Sequence, residues 1–198
     1  MDKTPPEVWK TFMDFMAGFT AARELHARAG TAGCFVECVC LGASLVDAFL
    51  RVGLVLQYQL NNRTRDIPLS LIFQGPADPA LSEREIYRRA LAASVIDNDT
   101  FTCLQALYDQ RNRVVHRYVI SRITTSDVLD IATKYEEMIS LLSKRIYEIE
   151  EQQIKEGVGI TARGPALKGD EGKRFLQEIA DEKHTPALAR ILRGKRAE

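Results

Sequence analysis

The chain has no net charge to spend: its 198 residues carry 27 Lys+Arg against 27 Asp+Glu. A protein that coats nucleic acid through bulk positive charge is excluded, although a local basic site is not. Histidine is scarce, with only His26, His116 and His184, which limits both metal sites and histidine-based triads. Gly-x-Gly-x-x-Gly, the phosphate-loop pattern, His-Glu-x-x-His and the Gly-x-Ser-x-Gly elbow are all missing. The opening MDKTPPEVWKT is charged and proline-containing, without the apolar core of a secretory signal. An uncharged apolar run of the roughly 18 residues that a membrane span needs is lacking too. The best stretch, Cys34 to Leu56, is interrupted by Glu37, Asp47 and Arg51. The expected location is the cytoplasm, with no membrane partner and with Cys34, Cys38, Cys40 and Cys103 as reduced thiols.

What is present reads as helix throughout. Apolar residues at 45% and charged residues at 27% describe an ordinary globular protein. Thr4-Pro5-Pro6-Glu7 is a helix start, followed by Trp9, Phe12, Met16 and Phe19 at helical spacing to about Gly30. A second helix from about Cys34 to Asn61 is apolar on most sides, which predicts the central, most buried helix. Asn62 to Leu81, with Pro68, Gly75, Pro76 and Pro79, reads as an ordered connecting loop. Ser82 with Glu85 forms a capping box for a short helix to about Val95. Asn98 caps a fourth helix containing Phe101, Leu104, Leu107 and Tyr108. Thr125 or Ser126 caps a long fifth, with the stripe Val128, Ile131, Tyr135, Met138, Leu142, Ile146 and Ile149. The expected fold is therefore all-α, a bundle of about five helices over residues 1–156. Residues 157–198 read as a glycine-rich linker and a tail with short helical pieces near Gly172–Glu182 and Pro186–Leu192. From Thr161 onward there are nine Lys/Arg and six Asp/Glu, so the tail is basic and the body correspondingly acidic.

Cys34, Cys38 and Cys40 fall within the apolar second helix, and no second cluster closes a tetrahedral metal site, so buried structural thiols are expected and no metal is assigned. Glu37, Cys40, Ser44, Asp47, Arg51 and Tyr58 share one face of the same helix, about 80° wide at about 100° per residue. That face is either a narrow solvated stripe or a polar wall beside an active site or a dimer seam, with Asp47 and Arg51 placed to pair.

The most informative segment is Gln110-Arg111-Asn112-Arg113-Val114-Val115-His116-Arg117-Tyr118. Arg111, Arg113, Arg117 and Arg122 gather around His116, with only Asp109 opposing them nearby. Arginine grips phosphate with a planar fork, and histidine moves protons near neutral pH. The two suffice for cleaving RNA without a metal or other cofactor: histidine transfers a proton at the ribose 2′-hydroxyl or the leaving oxygen, and arginine stabilises the charge on phosphorus. Basic groups at a helix end also serve simply to satisfy the last carbonyls. Arg111 and His116 stand about 140° apart around a regular helix. Either the helix ends between them, or a second copy across a two-fold axis completes the site.

Arg111-Asn112-x-x-x-His116 resembles the Arg-x4–6-His signature of HEPN (higher eukaryotes and prokaryotes nucleotide-binding) domains, and His116-Arg117-Tyr118 resembles the Arg-x4-His-x-Tyr form of HEPN toxins. The resemblance covers roughly Cys34 to Glu151. It implies an all-α homodimer that acts as a metal-independent endoribonuclease, a toxin or phage-defence effector, leaving 2′,3′-cyclic phosphate and 5′-hydroxyl ends. Arg111 and His116 would be catalytic and Asn112 the supporting polar residue. Tyr118 would be where an antitoxin, a regulatory protein partner, attaches nucleotides. The layout from Ile86-Tyr87 through Val95-Ile96-Asp97 also resembles the mannitol operon repressor group, which acts through protein contacts and generally lacks a complete Arg and His pair. A nucleotide-binding module is a third expectation, because the same basic pocket would hold a phosphate.

Overall fold

The computed structural model describes residues 6–75, 81–163 and 169–184. Seven helices lie in them: α1 (Pro6–Thr31), α2 (Phe35–Asn62), α3 (Leu69–Ile72), α4 (Glu83–Ala92), α5 (Asn98–Arg117), α6 (Thr125–Glu156) and α7 (Gly169–Lys183). Among the described residues there is no strand, and the all-α expectation holds. The expected Thr4 cap and the piece at Pro186–Leu192 lie outside the described residues.

α2 occupies the centre and packs against α1, α3, α4, α5 and α6. This is why its sequence is apolar nearly all round: a helix enclosed by neighbours has no wet face to keep polar, and residues 49–56 are all buried. It is long and apolar enough to cross a membrane, yet 67% of its most apolar window is covered by the protein itself. α6 lays its stripe against α2, and all seven predicted positions, Val128 to Ile149, are buried. Close approach is bought at Gly53, where a Cβ would stand 2.6 Å from Val95 Cγ1 and 3.0 Å from Ile146 Cδ1.

The helix ends differ in detail from expectation. Asp97, not Asn98, caps α5, its carboxylate accepting from the Thr100 amide at 2.8 Å. Thr124 rather than Thr125 or Ser126 caps α6, in a reciprocal box with Asp127. In each case the residue one position before the expected cap, itself a good N-cap, takes the role and accepts from the amide three residues on. Ser82 caps α4 as expected, but Glu85 turns to Arg88 and Arg89 instead of back to Ser82. α4 ends at Ala92, short of Val95, because Ser94 takes a left-handed φ of 57°. The connecting loop contains the single turn α3.

The glycine-rich stretch after α6, read as a linker, is pinned at its start. Thr161 donates through its amide and hydroxyl to Gln153 Oε1, at 3.2 and 2.7 Å, and the Ile160 amide donates to Gln59 Oε1 at 3.2 Å. Gly159, at φ 85°, permits this contact, since a Cβ there would fall 2.2 Å from the Gln153 amide group. α7 begins three residues earlier than expected and packs along α1, where Ile179 and Ala180 are buried.

The cysteines depart most from expectation. Cys38 is buried, whereas Cys34, Cys40 and Cys103 are exposed. Cys34 stands at the N-cap of α2 before the core begins, and Cys40 lies on the polar face.

Candidate functional site

α5 carries the motif. Its apolar positions Leu104, Leu107 and Val114 face the core, leaving the intervening polar residues outward. The helix runs unbroken through Arg117, with Tyr118 still in right-handed helical geometry. The possibility that it ends between Arg111 and His116 is thereby removed, and the two side chains leave the helix in directions about 140° apart.

Arg111 is half-buried and turns toward α4. Its Nη2 donates to Glu83 Oε1, and its guanidinium lies 5.0 Å from the centre of the Tyr108 ring. Arg84 reaches the same ring at 4.6 Å and pairs with Asp109 at 2.7 Å. The acid expected to oppose the motif arginines therefore serves Arg84, while the group that neutralises Arg111 is Glu83, 28 residues earlier. Glu83 also accepts from the Tyr87 hydroxyl at 3.3 Å. Burial works against the charge on Arg111, but the hydrogen bond and charge of Glu83 outweigh it, holding the guanidinium above its ordinary value. Burial, reinforced by Glu83, pushes the phenols of Tyr87 and Tyr135 well above the ordinary tyrosine range, so both stay neutral. The Tyr135 hydroxyl donates to the Leu107 carbonyl at 3.2 Å. Arg111 Nε remains buried without a hydrogen-bond partner.

His116, Arg113, Arg117 and Arg122 are exposed, and Asn112 is half-buried. The turn that follows is unusually apolar for a surface: Val119 is 92% and Ile120 83% exposed, beside half-exposed Val115 and Tyr118. Tyr118 borders a shallow recess with Cys34, Phe35 and Thr125. His116, Arg113 and Arg117 are thus exposed toward the end of α5, while Arg111 is turned to Glu83 on α4.

Asp47 and Arg51 pair as expected, Nε to Oδ2 at 2.5 Å, and Arg51 also donates to the Leu71 carbonyl at 2.6 Å. The polar face is solvated at Glu37, Cys40, Ser44 and Tyr58 but closes over Arg51, which is buried. The cleft that Asp47 and Arg51 line is walled by α1, α2 and the residues after α3, and includes neither Arg111 nor His116. Burial raises the Asp47 carboxyl above its usual range, with the Arg51 hydrogen bond opposing the shift. Among the described residues no group of three or more His, Cys, Asp or Glu gathers to hold a metal.

Glu83, Arg84 and Tyr108 were missed by sequence reasoning. Ser82-x-x-Glu85 marked a helix start there, but nothing local couples α4 to a residue on α5. No protein-family model, curated protein or solved structure matches the chain.

Proposed function

We propose that this chain is a metal-independent endoribonuclease of the HEPN type, cytoplasmic, acting as a toxin or phage-defence effector, with its active site built between two copies. One observation carries the reading: Arg111-Asn112-x-x-x-His116 lies on a continuous helix that ends in an exposed, basic and apolar turn. A single copy directs Arg111 and His116 apart, so a complete site needs a second copy, and Tyr118, Val119 and Ile120 offer the apolar surface it would cover. Two copies of the α5 end then bring paired histidines and arginines to one seam.

The chemistry follows from the residue types. The ribose 2′-oxygen attacks phosphorus as the 5′-oxygen leaves. His116 accepts the 2′-hydroxyl proton or delivers one to the leaving oxygen, and Arg111 stabilises the added charge on the phosphoryl oxygens. Arg113, Arg117 and Arg122 hold flanking phosphates, and Asn112 supports the site. The products are a 2′,3′-cyclic phosphate and a 5′-hydroxyl. An antitoxin would act at Tyr118, whose ring is half-exposed.

A non-catalytic regulator that binds a partner protein is the second reading, and the Glu83–Arg111 ion pair favours it, because that guanidinium already has an anion. Incubation with RNA in EDTA separates the two. Cleavage that survives EDTA and is lost in both Arg111→Ala and His116→Ala supports the enzyme; an unaltered protein that leaves RNA intact, or a purely monomeric mass at micromolar concentration, overturns it.

A further inference from the structure

The edge of the Arg111 guanidinium that meets Glu83 is only half used. The Nε and Nη2 hydrogens of an arginine point the same way and form a fork that matches two oxygens of one carboxylate or phosphate. Here Nη2 donates to Glu83 Oε1, while Nε is buried without a hydrogen-bond partner. Glu83 does not fill the second tine because its other oxygen, Oε2, accepts from the Tyr87 hydroxyl at 3.3 Å. Tyr87 is fully buried one turn further along α4, so that oxygen is held where it is. A buried donor without an acceptor is costly, and the cost falls on the one motif arginine that is turned inward. Its side chain is 17% exposed, whereas Arg113, Arg117 and Arg122 stand open to water.

We infer that Glu83 is a built-in plug in the phosphate seat of Arg111, which the two free oxygens of an RNA phosphodiester must displace before the strand is engaged. The inference rests on the reading of Arg111 as the phosphate-binding group and adds the regulation of that seat. A phosphodiester presents two oxygens to one guanidinium edge, so it fills Nε and Nη2 together where Glu83 fills Nη2 alone. Glu83 has somewhere else to go. It is the first residue of α4, where the unpaired amides of a helix start favour an acid, and it keeps the Tyr87 hydroxyl. Its side chain is 26% exposed, so water reaches it. Exchange therefore replaces one filled donor of Arg111 by two without stranding a buried carboxylate. A second arginine stands beside the seat: Arg84 lies 4.6 Å from the centre of the Tyr108 ring that Arg111 also approaches. The Arg84–Asp109 pair is exposed and therefore a weak tie. With both acids in place the two arginines are neutralised; with Glu83 displaced they carry an excess positive charge, which an RNA phosphate matches.

Fluorescence anisotropy of the full chain with a short 2′-O-methylated oligoribonucleotide at fixed salt tests this, because that probe keeps the phosphates and cannot be cleaved through the 2′-oxygen. Glu83→Gln should bind it about tenfold tighter than the unaltered chain, the worth of one charge-assisted hydrogen bond. The gain should vanish in Glu83→Gln/Arg111→Ala compared with Arg111→Ala alone. Glu83→Asp, which keeps the charge but draws the carboxylate back by one methylene, should give a smaller gain in the same direction, with the helical circular-dichroism spectrum as the folding check. Unchanged affinity in both Glu83 variants, a gain that persists without Arg111, or a probe that none of the proteins binds overturns the plug. Cleavage of unmodified RNA in EDTA is followed separately. Cleavage by the unaltered chain with no gain in the Glu83 variants removes the plug and keeps the enzyme; the gain without cleavage keeps the plug and removes the enzyme.

Discussion

Glu83, the first residue of α4, holds the guanidinium of Arg111 near the end of α5 and takes the Tyr87 hydroxyl on its other oxygen. The interaction joins two helices that both pack on α2, and its members are largely out of water. Removing one partner of such a pair leaves the other charge uncompensated, which costs more than the pair itself is worth. Glu83→Ala is therefore expected to destabilise the protein by about 1–3 kcal/mol. Glu83→Gln, which keeps one acceptor oxygen for Arg111 but loses the one facing the Tyr87 hydroxyl, should cost less. Urea unfolding midpoints of the three proteins check the order.

Gly53 admits Val95 and Ile146 to the surface of the central helix. Gly53→Ala should destabilise by about 1–3 kcal/mol through overpacking, despite alanine's better helix propensity. Val95→Ala in the same chain should recover part of the loss, because the nearest clash is with Val95 Cγ1. A double-mutant cycle on thermal unfolding measures the recovery, and strict additivity would contradict the contact.

The reciprocal box at the start of α6 gives a pH dependence with a definite sign. The Thr124 amide and hydroxyl hold the Asp127 carboxyl below its usual range. A folded-state value below the unfolded one adds stability above the ordinary carboxylate value and loses it as pH falls through the lowered one. Thr124→Val should cost about 1 kcal/mol near neutral pH. The gap should narrow in acid, as compared by unfolding at about pH 7 and about pH 3.

Thiol labelling distinguishes the four cysteines. Cys34, Cys40 and Cys103 should react with an aromatic disulfide reagent in the native protein, and Cys38 only on unfolding. Burial raises the Cys38 thiol as well as shielding it, so both thiolate fraction and access oppose reaction. Four equally fast thiols would contradict the placement of Cys38.

On the ribonuclease reading, Arg113, Arg117 and Arg122 contact phosphates and so act through charge alone. Each alanine substitution should weaken RNA binding and lower the salt dependence of the affinity by about one ion, largely irrespective of RNA sequence. Filter binding across a salt series checks this; an unchanged slope in all three would remove these residues from the interface.

The sequence by itself determined what depends on neighbours along the chain. Helix periodicity set α6 and its buried stripe, and the apolar, three-charge run from Cys34 to Leu56 set α2 as the centre. The i, i+4 spacing paired Asp47 with Arg51, and cap chemistry placed the starts of α4, α5 and α6 to within one or two residues. Tertiary structure alone decided the rest. Which acid neutralises Arg111 depends on how α4 lies against α5, and the nearby Asp109 lost to the distant Glu83 because it leaves the helix toward Arg84. Cys34 is exposed because burial begins only past the start of α2, which no local pattern marks, whereas Cys40 lies on the polar face that helical spacing groups with Glu37 and Ser44. The glycine-rich stretch after α6 is pinned because Gln153 and Gln59 come together across α6 and α2. Local propensity is a property of a few consecutive residues, whereas charge partners and burial belong to surfaces that meet only when the helices pack.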